Sequence, residues 1–236
     1  MDASGYVTLS RQSGLLHQMD VIANNIANTS TAGFRREGMV FSEYITRSGD
    51  APSLSMGFGN TRVVDLSQAG VTQTGGSFDF AIQGDGFFLI NTPQGQRLTR
   101  SGAFTPAADG TLVTADGYPV LDGGGSSIFV PPDAKNISLA QDGTLSADGR
   151  PLSKVGLWNP TDPLSLRHES GTMFSSSGVQ PGEGAQLMQG YLEDSNVDPL
   201  QEVSNMITIQ RAYELGQSFL DREDERARNV ISTLGR

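Results

Sequence analysis

The stretch Val21–Glu37, VIANNIANTSTAGFRRE, decides how the chain is read. It opens with the apolar spacing of a helix and ends in Thr, Ser and Gly. Asn24, Asn25 and Asn28 interrupt it. Asparagine is a mediocre helix former, because its side chain competes for nearby backbone groups. Asn28 is read as the helix stop, 29–32 as a loop, and Gly33 as a residue at positive φ. Asn24 and Asn25 need another reason. Ile22 and Ile26 share one face of the helix, and Asn25 and Asn28 lie on another. A buried amide must find partners, and in coiled coils one such residue fixes the register of paired helices at some cost in stability.

Working outward, Leu9, Leu16, Met19, Ile22 and Ile26 recur at three-, four- and seven-residue spacings from Tyr6 onward. That pattern predicts an amphipathic helix of about five or six turns. At the other end, Met206, Tyr213, Leu220, Ala227 and Leu234 fall every seventh residue, flanked by Val203, Ile207, Ile209, Val230 and Ile231. Asp198 suits an N-cap, and Pro199 a first helical position where its missing N–H costs nothing. The pattern predicts one helix of about 34 residues. The mixed charges of DREDERAR, with Asp224 and Arg228 at i,i+4, read as its solvated face.

Between the two helices the pattern changes to β. FDFAIQGDGFFLI (78–90) alternates, breaks at Gly84-Asp85-Gly86 and resumes, which predicts a hairpin. A weak repeat sets DGTLVTADGYPV (109–120) against DGTLSADGRPL (142–152), each a short strand between Asp-Gly turns. Those pairs lack the loop pattern of a calcium site. GDAPSLSMGFGN (49–60) reads as a loop or extended arm.

The net charge of −10 is unevenly spread. Residues 1–47 hold four acids and four bases, 48–198 hold sixteen and seven, and 199–236 hold six and five. Near-neutral ends can pack on copies of themselves, while an acidic middle stays solvated. No basic patch suggests nucleic acid. Cysteine is absent, which excludes disulfides, thiolate metal sites and Cys nucleophiles. No apolar run reaches the ~18–20 residues of a membrane span. The start MDASGYVTLSRQ lacks the basic and apolar regions of a secretory signal. Catalytic signatures are missing as well. His17 and His168 are the only histidines, and neither has a partner at metal-ligand spacing. A pair of carboxylates for glycoside hydrolysis stays open, although Trp158 is the only tryptophan and reads as a core residue or interface plug.

VIANNIANTSTAGFRRE resembles the N-terminal signature of the bacterial flagellar axial proteins, the rod and hook family. SNVDPLQEVSNMITIQRAYE (195–214) is similar to the signature that closes those chains. DFAIQGDGFF and RLTRSGAFTPAADGTLVTADGYPVL (97–121) resemble their shared central segments. The resemblance covers most of the chain apart from about 122–190. The start and the modest length look most like the proximal-rod members. Distal-rod and hook-type proteins are the alternative, followed by a β-rich glycoside hydrolase or an adhesin.

The resemblance implies a structural protein and no enzyme. It implies an α+β fold, with N- and C-terminal helices paired as a coiled-coil-like rod core and a central, mostly antiparallel β domain. Its expected layout is an N-terminal axial helix at 1–30, an extended arm at 31–75, a β domain at 76–195 and a C-terminal axial helix at 196–236. It implies export through the flagellar type III apparatus without cleavage of a signal peptide, and a place in the basal-body rod. The expected partners are further copies and other rod proteins in a helical assembly, with no nucleic acid, membrane insertion, cofactor or metal. The assembly residues carried over are Asn24, Asn25, Ile26, Ala27, Asn28, Gly33 and Phe34, then Asn196, Val197, Asp198, Met206, Gln210, Arg211, Ala212 and Tyr213. The apolar positions Leu9, Leu16, Met19, Ile22, Val203 and Leu220 join them. Gln210 and Arg211 either bridge a neighbouring subunit or lie on a solvated face.

Overall fold

The computed structural model describes residues 3–48, 51–182 and 184–234, with backbone alone at 3–6, 41–60, 231 and 234. The side chains of Tyr6, Ile231 and Leu234, counted into the apolar stripes above, lie outside the described residues. The chain divides into two compact units. One comprises Met1–Ala27, Glu37–Val63 and Asp198–Arg236, and the other Asn28–Arg36 and Val64–Val197. The fold is α+β, and the strand pairings of the β unit are antiparallel.

The first unit holds helix α1 (Ala3–Ala27), strands β1 (Glu37–Ser48) and β2 (Ala51–Val64), and helix α2 (Pro199–Leu234). Asp198 starts α2 as its N-cap: its Oδ1 accepts from Leu200 N at 2.9 Å and Gln201 N at 3.2 Å. That satisfies two of the donors a helix start leaves free. Near the far end, Arg228 pairs with Asp224 at 2.6 Å on the exposed face. Strands β1 and β2 form a two-stranded sheet. Residues 51–60, expected as a loop or arm, therefore lie in β2, and residues 49 and 50 are outside the described residues. Ladder hydrogen bonds hold a strand that neither alternation nor β-branched content marks.

The second unit is built from short strands. In chain order they are β3 (Val71–Gln73), β4 (Phe80–Gln83), β5 (Phe87–Thr92), β6 (Gly95–Thr99), β7 (Phe104–Pro106) and β8 (Leu112–Thr114). There follow β9 (Ile137–Leu139), β10 (Thr144–Ala147), β11 (Arg150–Lys154), β12 (Leu157–Pro160) and β13 (Arg167–Ser170). The last four are β14 (Met173–Ser175), β15 (Val179–Pro181), β16 (Gln186–Gln189) and β17 (Tyr191–Glu193). The largest sheet runs β13-β14-β6-β5-β12-β15. His168, expected in a loop, is in β13, where its ring lies 4.3 Å from that of Phe174.

Strand β5 separates two cores. Its even positions, Phe88 and Ile90, pack with Phe80, Ile82, Leu112 and Leu145. Its odd positions, Phe87 and Leu89, pack with Leu98, Leu166 and Phe174. The two-residue period of a strand sends alternate side chains to opposite faces, and here both faces are buried. Its neighbour β12 alternates in the same way: Leu157 touches the first core, and the half-buried Trp158 packs against the second. The internal repeat has a structural counterpart. Asp109 accepts from Thr111 N at 2.9 Å and Asp142 from Thr144 N at 3.0 Å, each turning the chain into its strand, β8 or β10.

The hairpin expected at Gly84-Asp85-Gly86 does not form. Strand β4 pairs with β16, and β5 pairs with β6 and β12. Gly84 and Gly86 take φ of 105° and 131°, backbone open to glycine. With that backbone, the carbonyls of Ile82, Gly84 and Gly86 all accept from the Arg100 guanidinium.

Candidate assembly site

In the helical unit, two side chains tie separate segments together. Asn25 is fully buried. Its Nδ2 donates to Glu37 O at 2.8 Å, and its Oδ1 accepts from Glu37 N at 2.9 Å. The amide thus completes a backbone-like pair with the first residue of β1. Its partners lie within the chain, in place of the register contact with a second helix expected for it. Asn24 hydrogen-bonds the Glu37 carboxylate, and Arg62 stands 3.5 Å from it. Burial pushes that carboxyl above its ordinary value, and Arg62 and Asn24 pull it back. The second tie is Gln12, buried on α1, whose Nε2 donates to Tyr213 O of α2 at 3.0 Å. Gly216 makes room for it, since a Cβ there would stand 2.4 Å from that nitrogen.

In the β unit, the end of the N-terminal signature and the start of the C-terminal one lie side by side. Gly33 N donates to Glu193 O at 2.8 Å, Asn196 N to Phe34 O at 3.4 Å, and Arg36 N to Asn196 Oδ1 at 2.6 Å. Asn196 Nδ2 in turn donates to Asp65 O at 3.1 Å and Ser67 O at 3.0 Å. Gly33 takes φ 73°, and a Cβ on it would sit 2.3 Å from Ser101 N. No residue that carries a Cβ fits there without moving backbone. Phe34 is fully buried, with its ring 4.9 Å from that of His168.

A buried ion cluster holds this junction. Glu193 pairs with Arg35 Nη2 at 3.0 Å and with Arg100 Nε, and its Oε1 accepts from Ala69 N at 3.0 Å. Each of the three charged side chains is at most 3% exposed. Charges this deep are tolerated only when every one is paired and hydrogen-bonded. Arg100 meets that condition through Glu193 and the three carbonyls of the GDG loop. Burial lowers the Arg35 pKa, and Glu193 counters it.

The structure brings some of the residues singled out in the sequence together. Gly33, Phe34 and Asn196 meet in the junction. Asn25 and the buried Ile22 lie on the same stretch of α1, and Tyr213 is bound through its carbonyl by Gln12. Met19, Asn24, Ile26, Asn28, Met206 and Leu220 are half-buried. Leu9, Leu16, Asp198, Val203, Gln210 and Arg211 are exposed and join no common cluster. Sequence reasoning missed Gln12, Glu37, Arg100 and Glu193. Their one visible signal was charge or amide inside apolar motifs, as in FRRE and RLTRSGAF. Among the described residues no helix is long and apolar enough to cross a membrane, and no group of His, Asp or Glu is arranged for a metal ion.

Comparison with known proteins bears on what this arrangement serves. Residues 6–35 match the family described as flagella basal body rod protein. Residues 81–147 match the flagellar hook protein FlgE/F/G D1 domain, and 188–233 the flagellar basal body rod FlgEFG protein C-terminal. The flagellar basal-body rod protein FlgF of Caulobacter vibrioides is 38% identical, with 100% of this chain and 99% of that protein aligned. Its counterpart in Mesorhizobium japonicum is 34% identical over the same shares. The flagellar basal-body rod protein FlgG of Bacillus subtilis is 32% identical, covering 96% of this chain and 97% of its own.

Proposed function

This chain belongs to the flagellar basal-body rod protein family and is a structural subunit of the rod, and we propose that its place is the proximal rod. There it polymerises with itself and with other rod proteins into the helical shaft that carries torque from motor to hook. Near-complete alignment with rod proteins, at 34–38% identity for those named FlgF and 32% for the Bacillus FlgG, carries the reading.

The physical chemistry agrees with a polymer. The helical unit leaves Leu9, Leu16, Leu200, Val203, Ile207, Leu215 and Val230 exposed. Fully burying one such side chain is worth about 1.5–3 kcal/mol, so a face of them marks an interaction surface. In the rod, α1 and α2 form the coiled-coil-like core, within axial segments 1–30 and 196–236. The arm at 31–75 leads to the β domain at 76–195, which stays solvated by its excess of acids. The junction around Glu193 keeps both signatures anchored to the β unit while torque passes. The chain reaches the rod through the type III export apparatus with its N-terminus uncleaved. This role assigns the chain no reaction and no cofactor.

Quantitative mass spectrometry of purified hook–basal bodies tests the reading. The chain should be present at a fixed number per particle. Its absence from particles, with the protein found only in soluble fractions, would overturn the assignment.

A further inference from the structure

The helical unit carries a groove of about 400 Å³ between α1 and α2, lined by Val7, Leu15, Ala212, Leu215 and Phe219 among others. Gln12 also lines it, although that residue is only 6% exposed. Its amide nitrogen is committed to Tyr213 O, and its Oε1 has no hydrogen-bond partner among the described residues. An orphaned buried carbonyl in a native fold calls for a donor. Arg11 stands exposed on the same wall.

A matching surface lies elsewhere on the same unit. Leu200, Val203, Ile207, Gln210 and Glu214 follow each other at alternating three- and four-residue steps, so they share one face of α2. All five are exposed, Leu200 at 83%. A different face, about a third of a turn round the helix, carries the buried Glu202 and Ile209 and the half-buried Met206, Tyr213, Gly216 and Leu220. The exposed stripe is apolar over its first two turns, then offers an amide, then a carboxylate.

We infer that the α1–α2 groove receives the Leu200–Glu214 stripe of a second copy of this chain, with Gln210 donating to Gln12 and Glu214 meeting Arg11. The inference rests on the rod reading. An incoming α2 running antiparallel to α1, with Gln210 over Gln12, sets Ile207 at Leu15 and Val203 at Met19. The same lay carries Glu214 one turn toward the start of α1, within reach of the Arg11 side chain. Donor meets acceptor, base meets acid, and apolar side chains meet apolar side chains. Groove and stripe are different surfaces, so the contact is head-to-tail. Such a contact does not close on itself in a dimer, and where its rotation does not close a ring its repetition builds a helical filament, the form the rod reading requires.

The natural chain has no cysteine, so paired cysteines report the contact cleanly. The full-length double variant Leu15→Cys, Ile207→Cys is expressed in cells lacking the natural copy, and their basal bodies are purified, oxidised and run without reductant. The expected result is a disulfide-linked dimer of this chain. Leu15→Cys alone, and Leu15→Cys combined with Thr233→Cys, should give none. Particles that contain the chain but show no dimer, equal linkage in the Thr233 control, or linkage to a different protein would each overturn the inference. Particles without the natural chain in otherwise normal cells would instead overturn the rod reading beneath it. If the cysteines themselves block assembly, the exposed pair provides a second measurement. Arg11→Glu and Glu214→Arg should each shrink the swimming zone at least two-fold, and together they should restore it. Failure of the double variant to recover beyond the singles would refute the contact.

Discussion

Replacing Arg100 with methionine probes the ion cluster that joins the two signatures. The side chain is 1% exposed and serves four acceptors: Glu193 and the carbonyls of Ile82, Gly84 and Gly86. Methionine keeps much of the volume and removes every donor. Removing one partner from a buried pair costs about 3–5 kcal/mol, because the remaining charge is left uncompensated. Here Glu193 keeps Arg35 and Ala69 N, which moderates that term. The three carbonyls lose their partner at the same time, at about 1–3 kcal/mol for each that water does not reach. Gly84 and Gly86 line a surface cavity that admits water, so a moderated pair term of about 2–3 kcal/mol and the dry Ile82 carbonyl at about 2–3 kcal/mol give a loss of about 4–6 kcal/mol. At about 2–4 °C per kcal/mol for a unit of this size, the melting temperature should fall by about 10–20 °C. Trp158, the only tryptophan, packs against the second core and reports the β unit by fluorescence. Arg35→Met should cost about half as much, since its guanidinium serves Glu193 and Ser67 O and no ring of carbonyls. A shift under about 3 °C for Arg100→Met would refute the reasoning, as would a larger effect at Arg35 than at Arg100.

Three further outcomes follow from the same structure. Glu37 has a folded pKa raised by burial, so its ionised form is penalised at neutral pH, and the penalty is relieved as pH falls through the raised value toward 4.5. Glu37→Gln should therefore protect the amides of residues 21–27 from hydrogen exchange more than the natural residue does at pH 7, with the advantage fading toward pH 4.5; a pH-independent offset would contradict this. Gly33→Ala adds a methyl 2.3 Å from Ser101 N at φ 73°, and should lower stability in urea by about 3 kcal/mol or more; an unchanged midpoint would show that the junction yields. Tyr213→Asp places a charge on the packed face of α2, and should abolish swimming while the Trp158 melt is retained. Normal swimming would put Tyr213 on a wet face, and a lost melt would make the helix part of the β unit's stability.

Elements whose cause is local were legible in the sequence. Asp198-Pro199 announced the start of α2 because cap and first turn depend on neighbouring residues alone. Gly33 was read as a positive-φ residue from its place after a helix stop, and it takes that conformation. The Asp-Gly-Thr repeat gave two matching turns. What stayed hidden depends on partners far along the chain. Gly84-Asp85-Gly86 has the composition of a hairpin turn, and only Arg100, with its guanidinium among the carbonyls, reveals it as a socket. The pairing of Arg100 with Glu193 spans 93 positions, so the charge inside RLTRSGAF shows in the sequence but its partner does not. Asn25 was recognised as an amide that needs partners. Both partners belong to Glu37, twelve residues on, in a strand whose sheet neighbour, β2, reads as a loop over much of its length.

The claim that this chain is a subunit of the proximal rod is tested most directly by electron microscopy of basal bodies from a strain lacking its gene. The account predicts particles whose rod stops short of its distal segment and which carry no hook. Particles with a complete rod that lack only the hook, or particles with rod and hook both intact, would contradict it.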